Sequence, residues 1–371
     1  MVNDAQLNEY QPDMVTPPGE TLQDVLEGLG MTQAELAKRI GKTPKAISEI
    51  IKRGTEITPA TAVDLEMALG IPASFWISRE RRYRENLARR AERRRLAKWA
   101  GWAKKFPVRF MSKTGLIKHS DDKTDQVAEL LRFFGIASPE HWEKIWFATD
   151  AAYRKSAVFN VNPEANSVWL RMGELQALRI DCKPFDRDTF RETLRKMLPF
   201  TAMEPARFRD RAVGACADAG VAVVFTPPIP GAPAYGVTRW LTQEKALVQL
   251  SLRGKWEDVL WFTFYHEAGH ILLHGKRDVF VEGEQAGDEK ETEANEFARD
   301  FLIPPPEYAR LLALPYRNPQ VIRKFASELG ISPAIVVGRL QHDEKLGRDR
   351  MNTLRMRFSL TAREKTPSAS I

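Results

Sequence analysis

The stretch Phe264-Tyr265-His266-Glu267-Ala268-Gly269-His270-Ile271-Leu272-Leu273-His274 constrains this chain more than any other. Positions four apart on a helix differ by about 40° in direction and about 6 Å in rise. His266 and His270 therefore share a face and can chelate one metal ion. Glu267 stands beside the first ligand, where a carboxylate reaches a metal-activated water. The pattern requires a rigid helix, and residues 256–275 supply one, with Val259, Leu260, Phe264, Ile271 and Leu272 as its core residues. His274 lies one further turn along the ligand face. Accumulated drift takes it off the metal axis, so it is expected behind the ligands or against a substrate. Tyr265 points elsewhere and is expected to pack.

Two histidines are an incomplete site, because catalytic zinc has three protein ligands and an open position for water. The third is expected from a later helix that begins near Glu289-Lys290-Glu291-Thr292-Glu293-Ala294-Asn295-Glu296-Phe297-Ala298. An apolar stripe of Ala294, Phe297, Ala298 and Phe301 puts Glu293 at the border of the buried face. Glu289 and Glu296 are alternatives, and Glu291 projects differently. Before the motif, residues 221–226, 235–241 and 245–252 read as strands, so a small sheet is expected to support the helix.

The first quarter of the chain has a different character. Leu22, Val25, Leu26 and Leu29 form one amphipathic set ending at Gly30. Thr32-Gln33-Ala34-Glu35 is a capping box, and Thr43-Pro44 and Thr58-Pro59 open further helices with proline at the first position. The second and third helices are separated by a short turn, which is the helix-turn-helix arrangement. Lys42, Thr43, Lys45, Ser48, Glu49 and Lys52 occupy the solvent face of the third. Lys45 and Ser48 are the base-reading candidates, and Lys52 and Gln33 the phosphate contacts that position without specifying sequence. Residues 79–105 then hold twelve Lys/Arg against three Glu, a local balance of 12 − 3 = +9 in a chain whose net charge is +7. A basic helix lying along phosphates is the expected reading. Double-stranded DNA is the expected partner.

Two resemblances bear on these segments. Pro17-Pro18-Gly19-Glu20-Thr21-Leu22, Met31-Thr32-Gln33-Ala34-Glu35-Leu36-Ala37, Ile57-Thr58-Pro59-Ala60-Thr61-Ala62 and Gly70-Ile71-Pro72-Ala73-Ser74-Phe75-Trp76 resemble the HigA-type antitoxin branch of the Xre helix-turn-helix family. That resemblance implies a homodimeric operator-binding domain, often one that represses its own operon and neutralises a partner toxin. The chain continues well beyond the point where such antitoxins stop.

His266-Glu267-Ala268-Gly269-His270, Glu293-Ala294-Asn295-Glu296-Phe297-Ala298 with Leu302-Ile303-Pro304, and the segment from Ile331-Ser332-Pro333 to Leu340 resemble the ImmA/IrrE family of zinc metallopeptidases. This resemblance implies one zinc ion per chain held by His266, His270 and Glu293, with Glu267 as general base. It also implies cleavage of a regulatory protein, such as an Xre-type repressor. The alternative is an antitoxin-like repressor whose peptidase-like domain only senses or grips a partner.

The expected fold class is α+β and predominantly helical. A flexible arm (1–15) precedes an all-α helix-turn-helix domain (16–78) and the basic linker helix (79–105). A helical middle (106–219), a zincin-like domain with a small sheet (220–346) and a tail (347–371) follow. Two isolated cysteines, Cys182 and Cys216, argue against a disulfide scaffold or a cysteine-based metal site. The polar N-terminus and the absence of any long apolar run make a cytoplasmic location the expectation, without a membrane partner.

Overall fold

The computed structural model describes residues 16–147, 162–232, 235–251, 256–274, 280–281 and 289–357. The arm expected at 1–15 and the end of the tail lie outside the described residues. The chain divides into two compact units, Met1–Lys98 and Trp99–Ile371.

Among its described residues the first unit holds helices and no strand: α1 (Pro18–Gly28), α2 (Gln33–Arg39), α3 (Pro44–Arg53), α4 (Pro59–Leu69) and α5 (Ala73–Ala97). Three threonines start three of these helices. The hydroxyls of Thr32, Thr43 and Thr58 accept from the backbone N–H of Glu35 (3.1 Å), Ala46 (3.2 Å) and Thr61 (3.2 Å), satisfying donors that a helix start leaves open. Only half of the expected capping box forms, because the Glu35 carboxylate is taken by Arg39 at 2.6 Å. Leu22, Leu26, Leu36, Ile47, Ile50, Leu65 and Trp76 form the core. In α4 the buried apolar positions are Ala62 and Leu65, whereas Val63 is 48% exposed. Helix α5 is more than a connector. Its buried Glu80 accepts from Ile57 N–H at 3.2 Å and from Arg84 at 2.7 Å, and Arg84 reaches Gly54 O at 2.7 Å. The front of the basic stretch is thereby tied into the helix-turn-helix domain.

The second unit begins with short helices around an aromatic cluster of Trp102, Phe106, Phe134, Trp142 and Trp146. A four-stranded sheet follows, made of β1 (Val221–Thr226), β2 (Gly236–Trp240), β3 (Ala246–Ser251) and β4 (Phe280–Val281) in the order β1-β3-β2-β4. β1 and β3 are parallel, and β2 is antiparallel to both of its neighbours. Every residue of β1 and β3 is buried, as expected where a sheet is covered on both faces. Ala222, Val224 and Leu247 pack with Ala177 of helix Pro163–Ala177 on one face. Val221, Val223, Phe225, Ala246, Val248 and Leu250 turn to the other face, toward the motif helix, Glu257–Leu273. Helices Arg187–Met197 and Pro205–Ala217 add Phe190, Leu194, Met197, Phe208 and Cys216 to that same core.

The last described segment belongs to the fold rather than to a loose tail. Arg355 grips Asp258 at 2.9 and 2.8 Å and lies over the Trp256 ring at 4.5 Å. Met356 N–H donates to Glu257 Oε1 at 3.1 Å. These contacts fasten the last described segment to the start of the motif helix.

Candidate metal centre

The motif helix is apolar nearly all round because it is buried nearly all round, with 14 of its 17 residues inside. Tyr265 packs, as expected, and its hydroxyl donates to Leu194 O at 2.9 Å. His266, Glu267 and His270 are each about 1% exposed or less.

The second wall of the site is helix Glu289–Leu302. Its buried residues are Ala294, Ala298 and Leu302. At 100° per residue, Glu291 lies about 20° from the centre of that face and Glu293 about 140° away. Phe297 and Phe301, counted as core in the sequence, are only partly buried on its flank. The helix is therefore rotated relative to the expected stripe. Small residues mark the crossing. A Cβ at Gly269 would come within 3.0 Å of the Phe297 ring and 3.4 Å of Ala294 Cα, so glycine lets the two helices approach closely enough for a carboxylate to bridge.

The consequence is a change of carboxylate. Glu291, not the expected Glu293, meets the histidine pair, with Oε2 3.3 Å from His266 Nε2 and Oε1 3.4 Å from His270 Nε2. The two Nε2 atoms are 3.0 Å apart. Donors about 2.0–2.2 Å from a common centre at tetrahedral angles sit about 3.3–3.5 Å from each other, so His266, His270 and Glu291 have the spacing of a chelating triad. Glu293 contacts His274 instead, at 3.0 Å, with half its side chain exposed.

Electrostatics favour the ligand forms. Burial pushes the His270 imidazolium down to about 4 against the opposing pull of Glu291. Burial also works to raise the Glu291 carboxyl, but the hydrogen bonds and charges of His266 and His270 outweigh it and bring it to about 2. A neutral imidazole and an ionised carboxylate are the states a metal requires. Asn295 Oδ1 lies 2.9 Å from His266 Nδ1, behind the ligand. The sequence reading sets Glu291 aside as projecting differently and gives Asn295 no role, although their spacing of four places them on one face.

Glu267 is wholly buried, and β2 crosses over it. A Cβ at Gly236 would stand 2.5 Å from Glu267 Oε1, and Thr238 Oγ1 donates to Glu267 O at 3.0 Å. A glycine at this point of β2 makes room for the carboxylate.

In the first unit the six DNA-contact candidates separate into two groups. Gln33 is bonded to Gln23 at 3.1 Å, Lys42 lies 3.6 Å from Asp64, and the Thr43 hydroxyl is spent on its cap. Lys45, Ser48 and Lys52 share the face of α3 opposite the buried Ile47 and Ile50, and both lysines are exposed.

These features define a helix-turn-helix unit joined to a unit of metallopeptidase-like design. Two family models agree with that division. Residues 22–76 match the helix-turn-helix family, and residues 256–341 match the IrrE N-terminal-like domain, peptidase family M78. The chain is a fusion of those two domains. No curated protein matched the chain. Among the described residues no helix is long and apolar enough to cross a membrane.

Proposed function

We propose that the protein is a DNA-binding regulator whose second unit is a zinc-dependent endopeptidase. Its substrate is a repressor- or antitoxin-type protein, or another copy of the chain itself. The observation that carries this reading is the triad of His266, His270 and Glu291 at chelating distances, with the buried Glu267 next to the first donor. Three protein donors leave one tetrahedral position open, which distinguishes a catalytic site from a closed structural one.

A zinc ion held there would supply Lewis acidity to water and to a peptide carbonyl. The chain's residues do the rest. The Glu267 carboxylate accepts the proton of the attacking water and delivers it to the leaving amine. Its cover by β2 excludes bulk water and keeps the carboxylate in place. The amino-terminal domain narrows the substrate from any peptide to a protein brought near an operator. Lys45 and Ser48 read base edges there, and Lys52 and the arginines of α5 hold phosphates.

The test is the full chain with zinc and candidate regulators encoded beside it, followed by gel electrophoresis. Glu267→Gln is expected to lower cleavage about 10²–10⁴-fold, the usual contribution of a general base, with zinc content and operator binding unchanged. Equal cleavage by Glu267→Gln, or none by the zinc-loaded native protein, would reject the peptidase.

A further inference from the structure

We propose that His274 and Glu293 form a relay that positions His270 for the metal, as Asn295 does behind His266. The inference rests on reading His266, His270 and Glu291 as the metal donors.

The geometry fixes which ring nitrogen faces which partner. Glu293 Oε2 is 3.0 Å from His274 Nε2, and His274 Nδ1 is 2.9 Å from His270 Nδ1. A carboxylate only accepts, so His274 donates through Nε2–H. In the neutral form of the ring that proton is the only one, so His274 Nδ1 then presents a lone pair. That lone pair accepts His270 Nδ1–H. His270 is left with its lone pair on Nε2, the atom that faces Glu291 at 3.4 Å. A carbonyl oxygen of Asn295 at 2.9 Å from Nδ1 selects the same tautomer in His266. Both ligands thus turn Nε2 to the same point.

Helical drift explains why His274 serves here and not as a donor. It lies eight residues beyond His266, about 80° around the axis, at the C-terminal cap of the motif helix. Its side chain is only 3% exposed, whereas that of Glu293 is 50% exposed. The relay therefore runs from a solvent-facing carboxylate inward to a buried ligand. Its outer end borders a cavity of about 620 Å³, between Arg191 and Arg195 on one side and Glu293, Phe297 and Phe301 on the other. A substitution at Glu293 opens into that space and disturbs no packed core.

The relay is tested by measuring zinc and cobalt(II) affinity of the full chain in competition with a chromophoric chelator. Groups that orient a metal-binding histidine are typically worth 10–100-fold in affinity. Glu293→Ala and His274→Ala are each expected to lose that much while keeping the intense visible bands of tetrahedral cobalt. Glu293→Gln, whose amide oxygen can still accept from His274, is expected to recover most of the loss. The double variant should be no weaker than His274→Ala alone, because the two residues act in series.

Unchanged affinity in Glu293→Ala, whose half-exposed position keeps the fold intact, would overturn the relay. So would a loss as complete as that of Glu291→Ala, since Glu293 would then be a donor itself. A native protein that takes up neither metal at one per chain fails differently, because it removes the metal centre and the relay with it.

Discussion

The two helices that build the candidate metal centre are unlike each other. The motif helix is enclosed on nearly every side, and among the residues of its partner only Ala294, Ala298 and Leu302 are fully buried. In an enclosed helix the chemistry is set by spacing along the chain, because every direction leads into the protein. In a half-exposed helix it is set by rotation about the axis, and rotation is decided by what the helix packs against. His266 and His270 are an example of the first case, and Glu291 against Glu293 of the second.

The largest expected effect tests the enclosure. Arg355 and Asp258 are each about nine-tenths buried, as a bidentate pair. Burial raises the Asp258 carboxyl, and Arg355 opposes that. Arg355→Ala leaves a carboxylate without its counter-charge at the start of the motif helix. A loss of about 3–5 kcal/mol is expected, read as a lower denaturation midpoint in urea. If stability hardly changes, the motif helix does not depend on the segment that carries Arg355.

Rotation of the partner helix is tested by its acidic residues. Structural zinc sites bind with roughly 10–16 kcal/mol, so one donor of four carries about 2.5–4 kcal/mol on equal shares. Glu291→Ala should therefore weaken zinc binding by on the order of a hundred- to a thousand-fold. Glu289→Ala and Glu296→Ala should change it little. Competition titration separates these cases, and a large loss at Glu296 would mean that the helix presents neither the observed face nor the stripe read from the sequence.

Much of this was legible and part was not. Thr32, Thr43 and Thr58 announce their helices through caps that lie within three residues, and the His266–His270 pair lies within one turn. Selecting the third carboxylate required knowing which side of a half-exposed helix faces inward. The signal was present, since Glu291, Ala294, Ala298 and Leu302 recur at spacings of three and four. Phe297 and Phe301 masked it, because large apolar residues were counted as core where small residues make the close contact. The Arg355–Asp258 pair spans 97 positions, and no local pattern foretells such a contact. Glu80 was hidden for a similar reason, as a buried glutamate inside a stretch that reads as solvated charge.

A smaller effect concerns the crossing itself. Gly269→Leu would drive a side chain into Phe297 and Ala294. Overpacking of this kind costs about 1–3 kcal/mol, and zinc affinity should fall with it as Glu291 withdraws. Gly269→Ala should be nearly neutral in thermal melts, because the Phe297 ring can move slightly and alanine gains up to about 1 kcal/mol of helix propensity. A strong loss in the alanine variant would mean that the two helices cannot separate at all.

The smallest effect extends the comparison to the other unit. Helix α3 is half-exposed like the carboxylate helix, with Ile47 and Ile50 turned inward and Lys45, Ser48 and Lys52 on the open face. Its function therefore also depends on rotation, and here the sequence and the structure agree on the face. Lys52 lies in the last turn, and its proposed partner is a phosphate rather than a base. Lys52→Ala should weaken binding to every DNA sequence alike and reduce the slope of log affinity against log salt by about 1. Lys45→Ala should instead relax preference at one base position, worth about 1–3 kcal/mol if the contact is bidentate or similarly close. Fluorescence anisotropy at several salt concentrations distinguishes the two. A sequence-selective loss at Lys52 would mean that α3 enters the groove by its last turn, and the assignment of roles along its face would have to be reversed.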